Sequence, residues 1–277
     1  IIREGISAGN GRKLCPNSRA CEERIGVVMI IDAHVHIGKS IFGYELSPEN
    51  MLESMQACGI QMTVISPVQP MNYHLEPEND YMALLVQQHH DQLIGFGRVD
   101  PRQGEKAVLE VKRAISVLGL KGIFLHPWEE GYRVNAEFVV PVVRTAAELG
   151  VPVMIATGYP WVSHALQIAF LAGLVPEASI IMTNGGQINT SGMAQADVYE
   201  AMRSHNNLYI ETAGMYRQDF LENCIHEFGA TRVIFGSNGP RMHQGFELDR
   251  AISATKSNEA NQRDVLGISM GRLLKIL

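Results

Sequence analysis

The feature that most constrains this chain is a rhythm: from residue 29 onward, short apolar runs alternate with longer amphipathic segments. The runs at 29–36, 62–67, 93–99, 122–126, 151–157, 179–184, 208–212 and 233–237 have the length and composition of buried strands. The segments at 48–58, 78–90, 104–118, 136–149, 163–172, 196–205, 219–228 and 247–255 carry apolar residues at helical spacing, and a further one lies at 262–274. Eight strand–helix units predict an α/β fold, a TIM-type (β/α)8 barrel built as a single domain. The punctuation agrees. Ser47-Pro48 supplies a helix cap with proline at the first position, and Gly59, Gly119, Gly150 and Gly229 stand where helices would end. A doubly wound open sheet shares the alternation, but no GxGxxG follows the first run, where a dinucleotide fold would carry its phosphate loop.

Composition narrows the partners. With 277 residues and 46% hydrophobic side chains the chain can bury one large core. A net charge of -6 without a basic block offers no handle to nucleic acid or an anionic membrane, and no apolar run is long enough to span a bilayer. The four cysteines, Cys15, Cys21, Cys58 and Cys224, form no CxxC pair and suit a reducing compartment, the cytoplasm being the simplest address. A homo-oligomer is compatible with all of this. Residues 1–28 are rich in Gly, Ser, Asn, Arg and Glu without sustained periodicity and read as an extra, poorly ordered segment before a barrel at 29–277. Met29 is the expected natural start, which the intact mass of the natively expressed protein would check.

In such a barrel the chemistry sits at the carboxyl ends of the strands. In the first strand, Asp32, His34 and His36 are two residues apart and are expected to share one face, setting two imidazoles side by side. The later strand ends supply Arg98, His126 with Trp128, Tyr159 with Trp161, Asn184, Glu211, and Asn238 with Arg241. Phe124 and His126 are expected to share a face. Together these residues predict a polar, aromatic-walled mouth for a small molecule, with Tyr216 as a further wall candidate. His164 and His243 read as rim or surface residues, and 71–74 as a candidate lid.

Asp32-Ala33-His34-Val35-His36, Leu125-His126-Pro127-Trp128, Thr157-Gly158, Asn184-Gly185-Gly186 and Phe235-Gly236-Ser237-Asn238-Gly239-Pro240 carry a family likeness from about Met29 to the end. In order and spacing they resemble the amidohydrolase-related branch of the amidohydrolase superfamily, which includes aminocarboxymuconate-semialdehyde decarboxylase, resorcylate-type decarboxylases and pyrone-dicarboxylate lactonase. The resemblance implies a distorted barrel and a hydrolase or decarboxylase acting on a small carboxylate, lactone or amide. It also implies metal ligands that this sequence lacks: Ala156 stands at the position of a strand-five histidine, Asn184 at a strand-six histidine and Asn238 at a strand-eight aspartate. Only His34 and His36 match.

The expected site therefore has His34, His36, His126, Asn184 and Asn238 as catalytic candidates. Arg98, Trp128, Tyr159, Trp161, Glu211 and Arg241 are the substrate-binding candidates. Its cofactor is either none or one divalent metal, zinc or manganese, weakly held by His34 and His36. His126 reads either as a third ligand or as a pocket wall, and Glu211 either as the water-activating base or as a structural group. The alternatives to an enzyme with an absent or reduced metal site are a conventional divalent-metal hydrolase with unforeseen ligands and a barrel that only binds a small carboxylated ligand.

Overall fold

The structure, a computed structural model, describes residues 29–187, 192–215 and 217–277. The N-terminal segment at 1–28 and Tyr216 lie outside the described residues. The strands are β1 (Ile31–Lys39), β2 (Glu45–Leu46), β3 (Met62–Pro67), β4 (Leu93–Arg98), β5 (Gly122–Leu125), β6 (Val153–Ile155), β7 (Ile180–Met182), β8 (Leu208–Glu211) and β9 (Val233–Ile234). They form one sheet in the order β2-β1-β3-β4-β5-β6-β7-β8-β9, all neighbours parallel except the short antiparallel β1–β2 pair. Past β9 the sheet meets its own first strand. Val35 bridges Gly239 in parallel, the Ala33 amide donates to the Phe235 carbonyl at 3.0 Å, and the His36 amide donates to the Gly239 carbonyl at 2.8 Å. The closed (β/α)8 barrel predicted from the rhythm is the fold observed.

Two buried layers hold it together. Ile31, Ala33, Val64, Ile94, Phe96, Phe124, Met154, Ala156, Ile181 and Ile234 fill the barrel, and Met270 and Leu274 from the closing helix join them. The opposite side chains, among them Val35, Ile37, Ile65, Ile123, Leu125 and Ile155, pack outward against the helices. Phe96 sits close to Gly122, where a Cβ would come within 2.3 Å of the ring, so the β5 strand must begin without a side chain there. No helix among the described residues is long and apolar enough to cross a membrane.

Local chemistry explains most element boundaries. The helix α1 (Pro48–Cys58) starts on Ser47, whose hydroxyl accepts from the Asn50 amide at 3.2 Å, and ends on Gly59 at φ 69. The predicted strands at 151–157, 179–184 and 233–237 are shortened at their ends, because the terminal residues leave the ladder: the Thr157 hydroxyl turns back to the Ile155 carbonyl and the Gly236 amide to the Thr212 hydroxyl. The predicted closing helix at 262–274 is interrupted. Glu259–Arg263 and Ser269–Leu273 flank a π-helical turn at Asp264–Ile268, and the Val265 carbonyl within that turn accepts from the Phe235 amide at 2.9 Å.

The face expected for Asp32 needs correction. The register of β1 against β3 shifts between Asp32 and Val35, which breaks the strict alternation the sequence predicts. Ile31 and Ala33 face the barrel interior, while the Asp32 carboxylate accepts from the Ser237 amide and hydroxyl at 2.8 and 2.6 Å and from Gln244 Nε2 at 2.8 Å. Asp32 thus ties β1 to the segment after β9, and its carboxylate meets the His34 backbone amide at 3.1 Å instead of lining up with the two imidazoles.

Candidate functional site

The irregularity in β1 brings His34 and His36 together at the mouth. Their Nε2 atoms are 3.0 Å apart, and each Nδ1 has its own partner: His34 Nδ1 meets Glu211 Oε2 at 3.1 Å, and His36 Nδ1 meets Ser66 Oγ at 2.9 Å. A carboxylate only accepts, so His34 Nδ1 carries a proton, and the contact between the two Nε2 atoms holds one further proton between the rings. In the arrangement that puts that proton on His36 Nε2, this ring donates to His34 and the Ser66 hydroxyl donates to His36 Nδ1. The result is a directed chain, Ser66–His36–His34–Glu211. Burial, the neighbouring His34 and the cations Arg241 and Arg98 hold His36 well below the ordinary histidine value, which keeps this ring neutral.

Glu211 anchors that chain from the end of β8. Its Oε2 also accepts from the Asn184 amide at 3.1 Å, and its Oε1 accepts from the Ala213 amide. Gly236 makes room for it, since a Cβ there would stand 2.7 Å from Oε1. Asn184 adopts φ 56 and turns its side-chain amide to the Ala213 carbonyl at 3.3 Å. Asn238 is buried at φ 53, with an Oδ1 that has no hydrogen-bond partner among the described residues.

A second cluster lies across Phe124, whose ring is 5.7 Å from His34, 4.9 Å from His36 and 5.9 Å from His126. Here the short helix α2 (Pro127–Glu130) carries two acidic side chains into the barrel mouth. Arg98, 0% exposed, donates to Glu129 Oε2 at 2.6 Å, to Glu130 Oε1 through Nε at 2.8 Å and to the Pro67 carbonyl at 3.3 Å. Arg241 also pairs with Glu129, reaches the Tyr159 hydroxyl at 3.3 Å and lies 4.4 Å over the Tyr44 ring. His126 caps α2 by accepting from the Glu129 amide at 3.3 Å. Its Nε2 faces the Glu129 carboxylate at 3.5 Å, while burial and then Arg98 and Arg241 push its pKa well below the ordinary value.

Sequence reasoning and structure differ most at this second cluster. Arg98, expected as a free cation for substrate, is fully enclosed and engaged by Glu129 and Glu130. Trp128 stacks on Tyr159 at 5.5 Å with 16° between the rings, so these two do form a wall. Trp161 is 82% exposed and turned to solvent, its carbonyl accepting from Gln167. His164 and His243 sit at the N-terminal ends of the helices Ala165–Leu174 and Gln244–Thr255, and Met71 and Tyr73 of the candidate lid are exposed. Tyr44, Ser66, Glu129 and Glu130 were missed. The last two had a signal: proline at the first helical position, two acids, then Gly131 marks one helical turn right at a strand end.

Glu130 makes stability depend on pH in a direction of its own. Burial pushes its carboxyl up to about 7, against the pull of Arg98, and its Oε2 has no partner among the described residues. The fold then favours the protonated form, so this contribution is fully present below the ordinary carboxyl value and is lost as pH rises through about 7. A glutamine mimics the protonated state. The Tm of Glu130→Gln minus that of the native protein is therefore expected to rise from about pH 5 to about pH 8, read by thermal denaturation; a difference flat with pH would contradict it.

The donors at the mouth do not fit a resident divalent ion. The two Nε2 atoms converge, but among the described residues no group of three or more His, Cys, Asp or Glu is placed to hold a metal. Glu211, the nearest acid, is on the Nδ1 side of His34 and so cannot meet an ion shared by the Nε2 atoms. A catalytic zinc takes about three protein ligands. Restoring one acid does not supply them: Asn238→Asp is expected to purify with far less than one equivalent of zinc or manganese per chain. Stoichiometric metal by elemental analysis would overturn this account of the donors.

Comparison with known proteins agrees with the fold. A model of the amidohydrolase family matches residues 31–267. No curated protein matches the chain in sequence. Among solved structures it is similar to 5-carboxyvanillate decarboxylase from Sphingomonas paucimobilis, with TM-score 0.72, 16% identity, and coverage of 90% of this chain and 100% of that one. It is also similar to 2,6-dihydroxybenzoate decarboxylase from Rhizobium, with TM-score 0.71, 18% identity, and coverage of 90% and 99%. A third is dihydroxybenzoic acid decarboxylase from Polaromonas sp. JS666 with bound manganese and 2-nitroresorcinol, with TM-score 0.71, 17% identity, and coverage of 90% and 98%.

Proposed function

This chain belongs to the amidohydrolase family, and from that premise we propose that it is an enzyme cleaving a small carboxylated substrate by proton transfer, without a resident metal. The observation that carries this reading is the buried chain Ser66–His36–His34–Glu211 at the strand ends. A substrate atom that enters between the two Nε2 atoms meets a proton donor on His36 and a lone pair on His34, the latter backed by the Glu211 carboxylate. Donor and base in one place are what both hydrolysis of an ester-like bond and replacement of a carboxyl group by a proton require. The stacked Trp128 and Tyr159 offer a wall to a planar substrate. The solved relatives named as decarboxylases of hydroxylated or methoxylated aromatic carboxylates support an aromatic acid as the substrate class.

His34 and His36 would be the groups that move protons, and Arg241, partly exposed at the rim, would orient a carboxylate. Glu211 fixes the tautomer of His34. Asn238, with its free Oδ1, would accept a hydrogen bond from a bound hydroxyl. The buried Cys58 and Cys224, in no disulfide among the described residues, support a reducing compartment such as the cytoplasm. One observation favours a second reading, a barrel that binds a carboxylate without converting it: the relay and the cation cluster are each satisfied within themselves. A panel of hydroxybenzoates and aromatic lactones, assayed for carbon dioxide release and for acid release, separates the two. Turnover by either route supports the enzyme, and saturable binding without product supports the binder.

A further inference from the structure

The Glu129 carboxylate is held as a bound ligand would be. Its side chain is wholly buried, with Oε2 2.6 Å from Arg98 Nη2, and Oε1 paired with Arg241, accepting from the Tyr44 hydroxyl at 3.0 Å and 3.5 Å from His126 Nε2. These donors come from the end of β4, the loop after β9, the loop after β1 and the end of β5, so four parts of the mouth converge on one carboxylate. Arg98 has a second carboxylate in Glu130, which leaves Glu129 to balance Arg241. Bracing its own four-residue helix would not call for two guanidinium groups, a phenol and an imidazole.

We propose that Arg98, Arg241, Tyr44 and His126 form a carboxylate-binding cradle which Glu129 fills as a built-in surrogate, and that a small aromatic monocarboxylate competes with Glu129 for it. The inference rests on the reading that this mouth takes a carboxylated molecule, and it names the groups that recognise the carboxylate. The competitor is tethered by a single helical turn between His126 and Gly131, and the adjacent Trp128 is 47% exposed and stacked on Tyr159. A tethered carboxylate acts at an effective concentration of about millimolar or more, so an external one binds weakly until the tether is removed. Removal also leaves Arg241 without its counter-charge, which an incoming carboxylate restores.

Benzoate is the probe, with phenol as the same ring lacking the carboxylate, titrated calorimetrically into the native protein, Glu129→Ala and Glu129→Gln. Benzoate is expected to bind Glu129→Ala about tenfold or more tightly than the native protein, with phenol unchanged and the gain lost on adding Arg241→Met. Should Glu129→Ala fail to fold, Glu129→Gln, which keeps the side-chain volume and removes only the charge, is expected to shift benzoate affinity in the same direction. Unchanged benzoate affinity in the folded variants overturns the cradle, as does a gain that persists without Arg241. Tighter benzoate binding in a protein that turns over nothing in the substrate panel keeps the cradle and rejects the enzymatic reading. Native turnover combined with unchanged benzoate affinity in the variants does the reverse.

Discussion

In a His34→Asn variant, turnover of the substrate that the native protein converts is expected to fall about 10²- to 10⁴-fold, the usual worth of a general acid–base group, while the fold survives. The asparagine amide reaches the place of the imidazole Nδ1 and can still donate to Glu211, which keeps accepting from the Asn184 and Ala213 amides as well. What disappears is the Nε2 lone pair that faces His36 at 3.0 Å. The loss should therefore fall on kcat, with KM nearly unchanged, because the wall and the cation cluster stay in place. The pH profile adds a check. His36 must be neutral to leave Nδ1 open to the Ser66 hydroxyl, and its value is held well below the ordinary one, so the His36 contribution to activity is lost as pH falls through that depressed value. Titration of the His36 ring itself, followed by NMR, at the ordinary histidine value of about 6.5 would place His36 outside the buried chain.

The barrel was legible because its physics is local. Apolar runs of strand length and the cap pair Ser47 and Gly59 put the boundaries at 48–58 and 62–67 where the structure has them, Pro48–Cys58 and Met62–Pro67. His34 and His36 could be read as neighbours from their spacing. What could not be read was the irregularity that separates them from Asp32, since a bulge leaves the residue types unchanged and only shifts which of them face inward. The partners of Arg98 were hidden for a different reason. Its strand-end position suggested a cation waiting for a ligand, and its actual partners, Glu129 and Glu130, come from a single helical turn whose existence depends on His126 accepting from the Glu129 amide. Charge that is satisfied by such a short element cannot be assigned from periodicity.

Arg98→Met is expected to destabilise the protein by about 3–5 kcal/mol, the cost of removing one partner from a buried ionic cluster. Methionine fills much of the space, so the loss is electrostatic: Glu129 and Glu130 keep their places without the guanidinium that they share, and the Pro67 carbonyl loses a donor. At about 2–4 °C per kcal/mol for a domain of this size, Tm should drop by roughly 6–20 °C. The two carboxylates are not equal in this. Glu130, already pushed up to about 7, can escape by taking a proton, whereas Glu129 still has Arg241 and the Tyr44 hydroxyl. The penalty should therefore shrink on moving from about pH 8 to about pH 5, and adding Glu130→Leu should recover part of it at neutral pH by replacing the remaining buried acid with an apolar group. Chemical denaturation of the single and double variants at both pH values measures each of these terms. A loss below about 1 kcal/mol at every pH would mean that Arg98 is solvated like a surface cation, and the enclosed cluster at the mouth would fall with it.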